Sequence, residues 1–177
     1  MSTGTTNRAA RRAAGATSLF AAAGVASACR GSPDWVVSAP LGVAYALLVV
    51  NTYCSIRCFG AIIPPELRTQ RLLDVVLGAT YLALAGSLGD PVRFAAVGAL
   101  LFAVATFKYA LLLGRLDAAE LLARKVRVDT VGTIVSVVAL VVASRGYEQA
   151  AAWGLLGLNA AANLVVLWWK PLYRVRR

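Results

Sequence analysis

Apolar residues run in long blocks along this chain, separated by short polar stretches that carry most of its charge. A helix that crosses a bilayer needs about 20 mostly apolar residues. Six blocks approach that length, at 13–29, 35–57, 72–89, 92–114, 128–144 and 148–169. The first is rich in alanine and glycine and has the weakest drive to insert. The third and fifth are short, so polar residues at their ends must reach to the headgroups. The pattern predicts an all-α polytopic membrane bundle of about six transmembrane helices, arranged as three hairpins.

The connections sharpen this picture. Arg30–Asp34, Gly89-Asp90-Pro91 and Ser144-Arg145-Gly146 are short and carry helix breakers, as tight turns require. The alternate connections are longer. Pro64-Pro65 prevents a continuous helix through 58–71. Residues 115–127 read as an amphipathic helix lying on the membrane surface. Its apolar stripe is Leu116, Ala119, Leu122, Ala123 and Val126, and Glu120 and Arg124 stand at the favourable i,i+4 spacing. A solvated linker with helical propensity fits the same residues.

Charge sets the orientation. Of 18 Lys and Arg residues, 14 fall before the first block, between the second and third, between the fourth and fifth, or after the sixth. Only Arg30, Arg93 and Arg145 lie in the opposite connections, and Lys108 lies within the fourth block. Cytoplasmic loops carry the excess of basic residues, so both termini are expected on the cytoplasmic side of a bacterial inner membrane or its organellar equivalent. Residues 1–12 form a basic N-terminal tail and 13–177 a single transmembrane domain. Residues 1–30 also resemble a targeting segment, with a basic start and Ala26-Ser27-Ala28 before Cys29; retention as a first helix is the expectation.

Composition agrees with a membrane protein. The chain has 177 residues, 59% of them hydrophobic, with a mean hydropathy of +0.70. A soluble domain is roughly 45–50% apolar. The net charge of +10 fits cytoplasmic loops and anionic headgroups better than nucleic acid, because no basic stretch is interleaved with aromatics. No histidine is present, which removes the commonest general base and metal ligand. Cys54 and Cys58 are four apart, not the CxxC of a redox motif, and read as buried thiols. No cofactor, metal site or enzyme activity is expected. Trp35, Trp153, Trp168, Trp169 and Tyr173 are expected as headgroup-level anchors.

Polar residues inside membrane spans are costly and mark function by default. The candidates are Asp74, Lys108, Asp129, Asn163, Asn51 and Asn159. Asp74 lies 16 residues before Asp90 and Lys108 lies 18 after it, so a hairpin would bring them level as a pair. By the same count Asp129 is level with Asn163. A shift of 55 residues superposes Asp74 on Asp129 and Lys108 on Asn163, a weak internal repeat of the kind transporters show. Alternatively, Asp74 and Asp129 sit in the first turns of their helices, held by the dipole and by Arg71 and Arg127, while Lys108 snorkels. Arg68, Arg71, Arg124, Lys125, Arg127 and Arg174 are expected at the membrane surface. Stripes of small residues, Ala95-Ala99-Ala103, Gly132-Ser136, Ala150-Gly154 and Gly157-Ala161, predict close helix packing.

Two functions fit. One is a transporter or channel for a small solute or ion, working as a homo-oligomer, with the polar set on the path. The other is a non-catalytic structural or assembly subunit of a larger membrane complex. A lipid-binding role would require a lateral cleft lined by the cytoplasmic arginines.

Overall fold

The computed structural model describes residues 3–30, 34–63, 68–114, 116, 118–169 and 172–173. Six helices account for most of them: α1 (Thr3–Cys29), α2 (Trp35–Phe59), α3 (Arg68–Ala85), α4 (Pro91–Ala110), α5 (Ala119–Ser144) and α6 (Glu148–Leu164), the last continued by a π-helical turn, Val165–Trp169. Among the described residues there is no strand.

Beside the breakers, α2, α4 and α6 begin and α1 and α5 end within a residue of the expected points, whereas α3 ends at Ala85, four residues short of 89. Asp34 caps α2 by accepting from the Val36 amide at 3.0 Å, and Asp90 caps α4 by accepting from the Arg93 amide at 2.9 Å. Pro91 takes the first turn of α4, where its missing N–H costs nothing. Gly146 turns the chain between α5 and α6 at φ +86°, a region closed to most side chains.

Where no breaker stands, the boundaries move. α1 starts at Thr3, so the basic tail expected at 1–12 is helical from there, with Ala9 and Ala13 buried. α3 starts at Arg68, four residues early. The surface helix expected over 115–127 is not separate: from Ala119 it runs unbroken into the block expected from 128. No Pro or Gly stands between Leu121 and Val131 to stop a helix, and hydrogen bonding propagates once a turn has formed. The resulting 26 residues extend about 39 Å, longer than a ~30 Å hydrocarbon core. The expected turn of 64–65 and Arg174 lie outside the described residues.

Four helices are long and apolar enough to cross a membrane: Trp35–Phe59, Pro91–Ala110, Ala119–Ser144 and Glu148–Trp169. This is compatible with an integral membrane protein. α1 and α3 are not among them. α1 carries Arg8, Arg11 and Arg12, and α3 carries Arg68, Arg71 and Asp74.

The helices close into a ring. α1 packs on α2, α2 on α6, α6 on α5, α5 on α4, α4 on α3, and α3 returns to α1 through the lightest of these contacts. α4 and α5 approach most extensively, with Gly132 against the Phe102 ring and Gly98 against Ser136. Gly132 and Ser136 of α5 therefore lie in the contact, but they meet Phe102 and Gly98 of α4 rather than the expected stripe Ala95-Ala99-Ala103, of which Ala103 is exposed, and Gly154 and Gly157 of α6 face open space. Two apolar clusters fill the ring. The larger includes Leu41, Tyr45, Leu84, Phe94, Leu101 and Ala152. The smaller, Phe59, Tyr109, Leu112 and Leu122, occupies the end where α2 and α4 finish. The outward side of α5 exposes Val131, Ile134, Val138 and Val141, an apolar stripe suited to lipid.

Candidate functional site

Between the two clusters lies a cavity of about 410 Å³. Its apolar wall is built by Phe20, Leu48, Leu77, Leu101 and Phe102, from α1 to α4. Its charged lining consists of Arg12, Arg71, Asp74, Lys108, Lys125 and Asp129. Of all its lining residues, those exposed at the surface are Arg12, Gly60, Arg71 and Asp74. Arg12, Arg71 and Asp74 thus place the opening between α1 and α3, where the ring contact is lightest, with Gly60 beside it at the end of α2.

Two ion pairs organise the charge. Lys108 of α4 donates to the Asp74 carboxylate of α3, the pairing that equal depth from the Asp90 turn predicts. The lysine is buried, and the aspartate side chain is 61% exposed at the opening. Lys125 donates to Asp129 one turn along α5, and both are buried, Asp129 to 1% exposure. Both ammonium groups flank the Tyr109 ring, at 5.5 Å for Lys108 and 5.3 Å for Lys125, within range of the ring's negative face. Taken out of water, an aspartate needs a close cation and hydrogen bonds. Lys125 supplies one bond; Asp129 Oδ2 and Gln70 Oε1 are buried acceptors with no protein donor among the described residues.

Tyrosines join these groups to α2. Tyr81 and Thr52 share a short hydroxyl–hydroxyl hydrogen bond, and Ser55 and Tyr109 share one at 3.1 Å. Tyr173, beyond α6, donates to Asn51 Oδ1 at 2.5 Å and meets Phe59 edge-on. Burial pushes the Tyr173 phenol above the ordinary tyrosine range, so its proton stays available for that bond. The Tyr45 hydroxyl donates to the Phe20 carbonyl at 2.9 Å, fastening α1 to α2 below the cavity.

Of the residues expected on a polar path, Asp74, Lys108, Asp129 and Asn51 line this cavity, and Asn163 and Asn159 do not. Asn163 Nδ2 donates to the Asn159 carbonyl along α6, and its Oδ1 has no partner among the described residues. The 55-residue correspondence therefore stops short of the pairing: Asp74 meets Lys108, but Asp129 meets Lys125 instead of Asn163. The helix-dipole explanation of the aspartates also fails. Asp129 lies ten residues beyond Ala119 and Asp74 six beyond Arg68, past the first turn where the dipole acts.

Among the residues expected at the membrane surface, Arg68, Arg124 and Arg127 are exposed, and Arg124 pairs with Glu120 at 2.8 Å. Arg71 is exposed and lines the cavity. Lys125 departs from the expectation, because α5 is continuous and turns it inward onto Asp129 and Tyr109. Tyr173 likewise reaches inward rather than anchoring outward; Trp35, Trp168 and Trp169 are exposed, at 74%, 82% and 76%. Sequence reading missed Arg12, Gln70, Tyr81 and Tyr109. The i,i+4 spacing of Lys125 and Asp129 was the one legible signal of the second ion pair. Among the described residues no three Cys, Asp or Glu side chains gather closely enough to hold a metal ion.

Comparison of the chain with protein-family models, with curated proteins and with solved structures gives no match.

Proposed function

We propose that this chain is a multi-pass membrane protein that carries a small solute or ion through the cavity between α1 and α5, its helices forming three hairpins with both termini on the cytoplasmic side. The observation that supports the reading most is the convergence of two ion pairs and several hydrogen-bonding side chains on one cavity within an otherwise apolar ring. Ionisable groups in such surroundings are costly, and they commonly line substrate paths. Binding would exchange part of the solute's hydration for these fixed groups. The basic residues near the start of α1 (Arg8, Arg11, Arg12), at the end of α2 (Arg57), at the start of α3 (Arg68, Arg71), before α5 and in its first part (Arg115, Arg124, Arg127) and after Trp169 support the orientation.

The test is flux in proteoliposomes, recorded as transient current after gradients of potassium, chloride, acetate, glycine or decanoate. Asp74→Asn is the informative variant: its side chain stands at the opening, and its loss leaves Lys108 unmatched without disturbing the apolar clusters. Wild-type current with at least one of these solutes, reduced about tenfold or more in Asp74→Asn, is expected. Flat responses to all five, together with stoichiometric co-purification of a second chain from native membranes, would replace this reading with that of a complex subunit.

A further inference from the structure

We propose that the ligand of this cavity is an amphiphilic organic anion, one anionic group on an apolar body, admitted sideways between α1 and α3; the inference rests on the cavity being the solute site. The lining holds four cationic side chains and two carboxylates. Each carboxylate is already in contact with a lysine. Arg12 brings a positive charge that neither of these carboxylates balances, and Arg12 and Arg71 come from the two helices that flank the opening. Arg12 has no ion pair among the described residues. A surplus of one sign at the mouth of a low-dielectric cleft concentrates ions of the other sign, and a planar guanidinium matches a carboxylate or phosphate with two parallel hydrogen bonds.

The rest of the ligand follows from the wall behind the arginines. Phe20, Leu48, Leu77, Leu101 and Phe102 form an apolar floor that a fully hydrated anion would leave unfilled. An apolar body buries itself there while the charged group stays with the arginines. A cation is disfavoured twice: it meets Arg12 and Arg71 first, and it must displace a lysine to reach either aspartate. The volume of about 410 Å³ is in the range of small-molecule sites. Side entry follows from Arg12, Arg71 and Asp74, which put three of the four exposed lining residues on α1 and α3. A lipid or fatty chain from the bilayer and a soluble organic acid share this chemistry.

Equilibrium binding of radiolabelled decanoate to the purified full chain in neutral maltoside micelles tests the inference, with protein-free micelles subtracted. Saturable binding is expected, displaced at least tenfold better by unlabelled decanoate than by decanol or decyltrimethylammonium. Arg12→Gln and Arg71→Gln, both at exposed positions, should each weaken it about tenfold, and Arg145→Gln at the opposite end should not. Displacement by decyltrimethylammonium as effective as by decanoate, or unchanged affinity in both cavity variants, would overturn the inference. Added dioleoyl phosphatidylglycerol distinguishes the sources. If it displaces decanoate where dioleoyl phosphatidylcholine does not, the bilayer supplies the ligand; if neither displaces it, the ligand is a soluble acid. Binding without decanoate flux would remove the transport reading and leave the anion site. Flux of another solute without decanoate binding would do the reverse.

Discussion

Lys125 and Asp129 are both buried on one helix, while Asp74 sits at the surface opposite the buried Lys108, and the two pairs should answer mutation differently. Removing one member of a buried pair strands the other and costs about 3–5 kcal/mol, whereas an apolar replacement of both is close to neutral. Lys125→Met should therefore lower thermal stability in detergent sharply, and Lys125→Met with Asp129→Leu should recover most of it. If the double variant melts no higher than the single, the pair is not the source of the loss. Asp74→Asn should cost about 1 kcal/mol or less, since one partner is solvent-screened. The sequence revealed Asp74–Lys108 because a single turn fixes the relative depth of α3 and α4. It hid Lys125–Asp129 because the boundary expected between a surface helix at 115–127 and a block from 128 assigns the two residues to different elements, whereas α5 is one helix. Tyr81, Tyr109 and Gln70 were hidden for a different reason: a polar group within an apolar block gives no sign of which way its helix turns it.

Among the helices, the α4–α5 contact depends on a missing side chain. A Cβ at Gly132 would stand 2.7 Å from the Phe102 ring, whereas one at Gly154 would meet nothing within 4 Å. Overpacking typically costs about 1–3 kcal/mol. Gly132→Leu should therefore destabilise the protein by about that much, with Gly154→Leu nearly silent, as measured by unfolding in detergent. Equal melting temperatures would mean that α4 and α5 do not approach as described. A Cβ at Gly24 would come equally close to the Tyr45 ring, 2.7 Å away, so α1 is held to α2 by the same kind of close approach. The helix limits were legible where chemistry stops a helix, as at Asp34, Asp90-Pro91 and Gly146. They were misjudged at Thr3, Arg68 and Ala119, where the chain changes from polar to apolar without any breaker. There the backbone continues, and only the surroundings of the helix change.

At the scale of the molecule, the proposed orientation puts the end of α1 on the outer side. Cys29 is exposed there, while Cys54 is half-buried and Cys58 buried. In intact cells carrying a Cys54→Ser, Cys58→Ala chain, a membrane-impermeant maleimide should label Cys29 without permeabilisation. Labelling only after lysis would reverse the orientation. The order of helices around the ring was not legible, because apolar blocks fix the number of helices and not their neighbours. That order has a consequence for how the protein is made. α2 emerges early, yet one of its two principal neighbours is α6, and Asn51 obtains its hydrogen bond from Tyr173, 122 residues later. Contacts between distant parts of a chain form slowly, and until they form the unfinished protein is exposed to misassembly. In the proposed membrane arrangement, α2 therefore waits in the bilayer with one face bare for most of synthesis. A chain stopped after Trp169 would complete α1 to α6 and still leave Asn51 without its bond from Tyr173. Pulse-chase labelling should show it degraded faster than the full-length protein, as a ring whose last fastening never arrives.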